Sequence, residues 1–260
     1  YTNMFMKNVP GKDSITSYSR IHELSFYVKG VNEIRASSTV QVVSKNIVKL
    51  GVPVKEGVCD AHMGTTDRWL CETCDNKKVD CPGHFGSIEL NYPVKSPLFQ
   101  EVLLKWLKVI CMHCGNPVVR INKSISAQNR LTHTVHSVKG ISKCIHCEKP
   151  YIPVVIDEKK KFIFYRQLEE GKLITYKEEY YNHLIYQTLE KITDQTVVDM
   201  GLPLRSHPSH YILYSIPVPP NTIRPDTKTT NDKLATNDTT ALLKNIIEIN
   251  QRITTPLPEP

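Results

Sequence analysis

The sequence has no long hydrophobic run and none of the common catalytic motifs. No stretch of about eighteen apolar residues occurs, so a membrane-spanning helix is not expected. No basic segment followed by an apolar one opens the chain, so secretion is not indicated. A glycine-rich phosphate loop, Gly-x-Ser-x-Gly, His-Glu-x-x-His and closely spaced aspartates that could hold Mg2+ are all missing. We therefore expect no catalytic centre in these residues.

What the chain has is an ordinary globular composition with a modest basic excess. It has 260 residues, of which 40% are hydrophobic and 23% charged, enough for one large domain or two small ones. The formal net charge is +7, which suits an anionic partner only weakly. The first residue is Tyr1, so we expect a trimmed chain or a piece of a longer one.

Eight cysteines in a chain with no secretion signal favour metal binding over disulfides. The segment "CETCDNKKVDCPGH" contains Cys71-x2-Cys74 and Cys81-x2-His84. Each x2 spacing brings two ligands to one edge of a zinc tetrahedron, and two such turns complete four-coordination. The segment therefore predicts a closed, structural zinc site at Cys71, Cys74, Cys81 and His84.

A second set of cysteines, Cys111-x2-Cys114 and Cys144-x2-Cys147, predicts another zinc site. The 29 residues between its halves exceed the usual spacing, so this pairing depends on two half-sites needing each other. We expect His113 and His146, which lie inside these turns, to face outward. The remaining Cys59 is expected to be a small buried hydrophobe.

Periodicity predicts a mixed α+β fold with several helices and short β-hairpins. Helices are expected at "SPLFQEVLLKWLKVI", starting from a Ser96 cap, at "SAQNRLTHTVHSVKG", and at "KEEYYNHLIYQTLEKI" and "TDQTVVDMGL". Strands are expected within 21–30 and 39–43, and a hairpin at "YIPVVIDEKKKFIFY". Residues 51–97 look like loops in which zinc replaces a hydrophobic core. His207 and His210 are expected to serve capping and packing rather than metal binding.

A proline-rich stretch interrupts the pattern near the end of the chain. "IPVPPNTIRP" has four prolines in ten residues, which predicts an extended strap. A polar stretch and one more amphipathic helix, "ALLKNIIEINQRI", follow it. We therefore expect a metal-containing module at 1–215, a strap and polar linker at 216–238, and the start of a following module at 239–260.

These residues together resemble the N-terminal clamp region of the largest subunit of multisubunit DNA-directed RNA polymerases. The resemblance rests on "DAHMGTTDRWLCETC", "CPGHFGSIEL", "VICMHCG", the strap and "TTALLKNIIEINQRI", and covers residues 21–115 and 211–253. The segment "MGTTDRWLCETC" and the compact Cys144-x2-Cys147 half-site resemble the corresponding sequences of large-DNA-virus polymerases more than those of the nuclear enzyme.

The resemblance implies an irregular, zinc-stabilised clamp domain, as a fragment or split piece of a larger subunit. Such a clamp holds template DNA in the cleft and contacts the second-largest subunit and the rest of the largest one. Nascent RNA is a further implied partner. The family's Mg2+-binding aspartate motif is absent, so Mg2+ and nucleotidyl transfer are expected only in the assembled enzyme. The implied location is intracellular: a viral factory or virion for a virus, the nucleus for a cell.

The residues themselves leave a second interpretation open, a free-standing zinc-binding adaptor that recognises nucleic acid or protein. The strap and terminal helix favour the clamp, because an adaptor needs no joint to a further body. If the clamp faces DNA, Arg68, Lys77 and Lys78 beside the first zinc turn are candidate phosphate contacts.

Overall fold

A computed structural model describes residues 26–65, 70–151, 154–157, 162–165, 167–169, 172–174, 182–203, 205–228 and 234–253. Six α-helices and eleven β-strands lie in these ranges, together with four short 3-10 helices. The helices are α1 (Val31–Ser37), α2 (Gln100–Val109), α3 (Ala127–Ser137), α4 (Asn182–Glu190), α5 (Asp194–Asp199) and α6 (Asp238–Arg252). The strands are β1 (Ser38–Gln41), β2 (Val48–Lys49), β3 (Val52–Pro53), β4 (Phe85–Lys95), β5 (Val154–Asp157), β6 (Phe162–Tyr165), β7 (Gln167–Glu169), β8 (Lys172–Ile174), β9 (Ile212–Val218), β10 (Thr227–Lys228) and β11 (Leu234–Ala235).

A three-stranded sheet in the order β1-β4-β9 organises the fold. Its central strand β4 pairs in parallel with β1 and antiparallel with β9, with Ile88 opposite Ile216. The expectation that residues 51–97 are loops without a core is therefore wrong for 85–95. The prediction failed because β4 is paired on both sides and does not show the clean alternation of a strand with one solvated face: its burial pattern places Gly86, Ser87 and Ile88 inside in succession.

The larger hydrophobic core packs α2 against α3, α4 and the segment around β9. It contains nineteen buried side chains, including Trp106 and Leu189, both fully buried. The predicted helix start was wrong: Ser96 and Pro97 lead into a 3-10 turn, and α2 begins at Gln100. Leu98, expected on the buried stripe, is 86% exposed because it lies in that turn, before the helical face that contacts the core.

A smaller core forms where α6 packs on the sheet. It contains seven buried side chains: Val42, Val58, Met63, Ile88, Val218, Leu243 and Ile247. The first expected module boundary, at residue 216, falls inside β9, and α6 contacts β4 directly. The division at 216 and 239 stays a prediction.

Most of the other predicted elements are confirmed. α3 ends close to Gly140, which has a positive φ of 83°. α5 starts from a Thr193 cap that accepts a hydrogen bond from the Thr196 backbone N–H. The expected hairpin is β5 paired antiparallel with β6, while the turn at 158–161 lies outside the described residues. Of the strand expected at 21–30, residues 21–25 lie outside them and 26–30 form no strand.

The architecture is thus a mixture of helices and small sheets, as the periodicity predicted. Within the described ranges, every helix is too short or too polar to cross a lipid bilayer.

Candidate metal centres

The first predicted set of ligands comes together in space. The ligand atoms of Cys71, Cys74, Cys81 and His84 all lie within 4.8 Å of one another, and the Sγ atoms of Cys74 and Cys81 are 3.7 Å apart. A zinc tetrahedron with Zn–S bonds of about 2.3 Å has edges of about 3.8 Å. The cluster therefore has the size and the donor set to hold a zinc ion.

The second set also converges, although its halves are far apart in sequence. The Sγ atoms of Cys111 and Cys147 are 3.6 Å apart, and those of Cys114 and Cys144 are 3.8 Å apart. All four lie within 4.8 Å of one another. Sequence spacing alone could not show that these two half-sites pair. The fold brings them together.

Three of the four turns share one backbone conformation. The carbonyl of the first cysteine accepts a hydrogen bond from the N–H four residues later, at 2.8 Å for Cys71, 2.8 Å for Cys111 and 3.0 Å for Cys144. The residue that donates it has a positive φ in each case: Asp75 at 55°, Gly115 at 70° and Glu148 at 58°. This turn directs backbone N–H groups towards sulfur, as in the 3.4 Å contact from His146 N–H to Cys144 Sγ.

The ionisation of the thiols differs within each cluster: burial raises the pKa of Cys81 in the first, and a backbone hydrogen bond from Lys149 lowers the pKa of Cys147 in the second. A hydrogen bond from His84 lowers the pKa of Cys74 to about 7. Burial raises the pKa of Cys111 to about 12, so a metal ion there must displace a proton. All eight thiols are free, and the buried Nε2 atom of His84 has no hydrogen-bond partner among the described residues. The donor sets are therefore available to a metal ion.

The proline-rich strap packs against the first cluster, which sequence reasoning missed. A Cβ atom on Gly83 would lie 2.5 Å from Thr222 Oγ1 and 2.6 Å from Pro220 Cβ, so the close approach requires glycine. The Asn221 amide donates to the carbonyls of Asp60 and Gly64 at 2.8 and 2.9 Å.

Arg224, only 5% exposed, fixes the end of the strap. Its guanidinium donates to the carbonyls of Val58 and Pro219, to the Asn221 side chain and to Thr240 Oγ1 at the start of α6, at 2.9–3.0 Å. No sequence signal marks these contacts, because an arginine in a proline-rich stretch is normally exposed.

A third group of potential ligands, Asp60, His62 and Glu72, also lies within 4.8 Å. Asp60 is buried, but its carboxylate accepts hydrogen bonds from the backbone N–H groups of Glu56 and His62 and contacts the His62 ring at 2.7 Å. Its oxygens are thus used in capping the short 3-10 helix Ala61–Met63. We assign this group a structural role.

The remaining candidate histidines behave as expected. His113 and His146 are exposed. His207 accepts from the Ser209 N–H and contacts the Ile192 carbonyl, while His210 contacts the Val28 carbonyl, which is capping and packing. Cys59, expected to be buried, is only half-buried; it belongs to neither cluster, and burial raises the pKa of its thiol.

A family model described as "RNA polymerase Rpb1, domain 1" matches residues 18–258. Among curated relatives, the DNA-directed RNA polymerase RPB1 homolog of African swine fever virus (strain Badajoz 1971 Vero-adapted) is 31% identical over 80% of this chain. The subunit Rpo1N of the archaeon Thermococcus celer is 30% identical over 90% of it, and that of Methanothermobacter thermautotrophicus is 28% identical over 90%. The chain spans 14% of the viral relative's length and 27–28% of the archaeal ones.

Proposed function

The chain belongs to the family of the first domain of the largest RNA polymerase subunit, Rpb1, and on that premise we propose that it forms the clamp. In this role it holds template DNA in the cleft of a DNA-directed RNA polymerase during transcription. The family match across residues 18–258 is the observation that carries the proposal. The resemblance to viral polymerases noted in the sequence is confirmed by the African swine fever virus relatives.

We propose that the two clusters hold one structural zinc ion each. Cys71, Cys74, Cys81 and His84 hold the first, and Cys111, Cys114, Cys144 and Cys147 the second. Four protein ligands leave no open position for a substrate or an activated water, so the ions act as cross-links. They join segments far apart in the chain, above all residues 111–114 to 144–147.

Nucleotidyl transfer belongs to the assembled enzyme in this proposal. Mg2+ at a polymerase centre needs convergent carboxylates, and the one His/Asp/Glu group among the described residues, at Asp60, His62 and Glu72, is engaged in backbone capping. The chain alone supplies no catalytic residue. Its partners are the remainder of the largest subunit, the second-largest subunit, template DNA and nascent RNA.

The cellular location that we propose for the chain is that of the polymerase to which it belongs. It is intracellular, in a viral factory or virion for a viral polymerase and in the nucleus for a cellular one. The alternative of a free-standing zinc adaptor predicts the same metal content but no dependence of transcription on this chain, so the two are separable by experiment.

The metal part of the proposal is tested by elemental analysis of the full chain purified with zinc. Two zinc ions per chain are expected. One or fewer would contradict the second centre, and in that case Cys144→Ser would leave the zinc content unchanged.

The functional part is tested with the purified chain and the assembled polymerase on a tailed DNA template. The chain alone should synthesise no RNA with any divalent metal ion, and the assembly without it should release DNA faster and lose processive synthesis. Template-dependent synthesis by the chain alone, or full DNA retention without it, contradicts the clamp.

A further inference from the structure

The two metal-binding segments carry opposite charge. Residues 111–150 contain six lysines and arginines but a single carboxylate, Glu148. Residues 56–90 contain three lysines and arginines against seven aspartates and glutamates. A zinc site of four cysteines adds about −2, and one of three cysteines and a histidine adds about −1, so the metals leave this opposition in place. A polyanion is therefore attracted to the second segment and repelled by the first.

Three lysines of the second segment are free to meet an anion. Lys139, Lys143 and Lys149 are exposed, and none has a carboxylate partner among the described residues. They lie close together: the Cys144 N–H donates to the Lys149 carbonyl at 3.0 Å, and Lys143 is bridged to Pro150. Lys139 follows α3 and is joined to them by a turn in which the Ile141 N–H donates to the Val138 carbonyl at 3.2 Å. We call these three residues the lysine surface.

Other basic residues near α3 are already engaged. Lys123 pairs with Asp199 at 2.9 Å, and Arg130 donates to the carbonyls of Lys123, Ile125 and Asp199. The first zinc turn, in contrast, exposes Glu72, Asp75 and Asp80 around Lys77. The second segment thus combines a net positive charge with lysines that have no carboxylate partner among the described residues, whereas Lys77 lies among carboxylates.

The side chains around the lysine surface favour a phosphate backbone over a protein. Between residues 111 and 151, Ile145 is the one large apolar side chain that the structure shows exposed. Protein interfaces need an apolar or aromatic centre, which a single isoleucine does not provide. Residues 111–150 contain no Phe, Tyr or Trp, the largest of the side chains on which unpaired bases stack, and their only aromatic rings are those of histidine. A duplex, whose bases are already stacked, is the nucleic acid that fits.

We propose that the lysine surface binds the phosphate backbone of duplex DNA. The inference rests on the proposed function and replaces the contacts suggested by the sequence, Lys77, Lys78 and Arg68, the last of which lies outside the described residues. Rigid attachment to a zinc turn keeps the backbone of Lys143 and Lys149 fixed, so binding orders only their side chains. The contact is independent of base sequence, as a clamp that moves along its template requires.

The test uses the assembled polymerase with Lys139→Gln, Lys143→Gln and Lys149→Gln combined. A matched control carries Lys49→Gln, Lys55→Gln and Lys77→Gln, three exposed lysines outside the second segment that have no carboxylate partner among the described residues. Binding to a duplex DNA and to a single-stranded RNA of the same length is measured between low and moderate salt. Zinc content is measured in both variants to show that the centres remain loaded.

Each lysine–phosphate contact contributes about 0.9 to the slope of log affinity against log salt for duplex DNA. The test variant should therefore lower the slope for duplex DNA by about 2 to 3, with a smaller change for RNA, while the control keeps the wild-type slope. Equal losses in both variants would show a general charge effect and overturn the inference. An unchanged slope in the test variant overturns it too, as does loss of another polymerase subunit with DNA binding intact, which would indicate an acidic protein partner.

Failure of the clamp proposal itself gives a different result. If the assembly without this chain binds DNA as tightly as the complete one, the proposed function is wrong. If only the assembly without the chain loses DNA while the lysine variant does not, the clamp stands and the lysine surface is wrong.

Discussion

The two metal centres use the same turn but rest on very different supports. Cys111 and Cys144 are members of the larger core, among nineteen buried side chains. Residues 72–80, between the ligands of the first centre, are almost all exposed and contribute nothing to the smaller core of seven. In the second half of the molecule, the candidate metal ligands are thus embedded in apolar packing. In the first, the turns lack such packing and are covered by the strap at Gly83.

The chemistry of the thiols does not follow this division, because each cluster contains one thiol with a lowered pKa and at least one with a raised pKa. The half-buried Cys74 has its pKa lowered to about 7 by its hydrogen bond to His84, so its thiolate forms readily near neutral pH. The buried Cys111 has its pKa raised to about 12, so its proton leaves only when a metal ion takes its place.

The largest expected effect comes from emptying the first centre with His84→Ala. Zinc content should fall from two to one per chain, with a loss of local binding free energy on the order of 10 kcal/mol. Hydrogen exchange should accelerate across residues 70–84 but not across β4, because β4 is paired with β1 and β9 on both sides.

His84→Cys is the matched control, since thiolate and imidazole both suit a zinc tetrahedron, and it should keep both ions. Equal zinc retention in the two variants would mean that His84 is not a ligand. Fast hydrogen exchange throughout 56–97 in His84→Ala would support the simpler expectation that this region has no hydrophobic core of its own.

Substitutions that open a cavity in one core or the other test whether each core supports its own metal centre. Trp106→Ala in the larger core should destabilise the chain by about 3 to 5 kcal/mol, and Met63→Ala in the smaller one by about 2 to 5 kcal/mol. Trp106→Ala should speed zinc release at the second centre and Met63→Ala at the first, where the Met63 carbonyl accepts from the His84 N–H at 3.3 Å. Urea unfolding and release of zinc to a chelator measure both effects. Similar release from both centres in either variant would show that the cores are not separate.

The strap is tested by Arg224→Ala, which removes a buried guanidinium from four acceptors. We expect a loss of about 1.5 to 3 kcal/mol, because two backbone carbonyls are left without a donor. Arg252→Ala is the control: this arginine is 74% exposed, pairs with Glu248 in α6, and should cost less than about 1 kcal/mol. If the two substitutions cost the same, the strap is not held through Arg224.

The smallest effect is expected from the Arg35–Glu89 ion pair beside the sheet, whose shortest N–O distance is 2.6 Å. Arg35 lowers the pKa of Glu89 through this hydrogen bond, so the stabilisation is complete above the ordinary glutamate pKa and disappears as pH falls through the lowered folded value. A double-mutant cycle with Arg35→Ala and Glu89→Gln should give about 0.2 to 1 kcal/mol, because Arg35 is half exposed. The coupling should be constant from pH 8 to pH 5 and shrink in high salt. A decline between pH 7 and pH 5 would contradict the assigned pKa direction.

The sequence was most informative for features that depend on residues close together in the chain. The Cys-x2-Cys and Cys-x2-His spacings indicate which atoms can share one ion, so all eight residues that the fold brings together in two clusters could be named as candidate ligands beforehand. Helices with a periodic apolar face, such as α4 and α5, were found for the same reason, since their signal lies within two or three turns. The start of α2 was misplaced because Ser96-Pro97 is equally suited to a 3-10 turn.

Tertiary structure decided everything that depends on partners distant in the chain. The sequence by itself identified the eight candidate ligands, the mixture of helices and small sheets, and the family resemblance. Only the fold made 85–95 a central strand, because that requires pairing with β9 more than a hundred residues later. It also decided that Arg224 is buried beneath α6 and that Lys139, Lys143 and Lys149 have no carboxylate partner among the described residues. Burial and ion pairing are properties of which segments meet, and side-chain identity alone does not specify them.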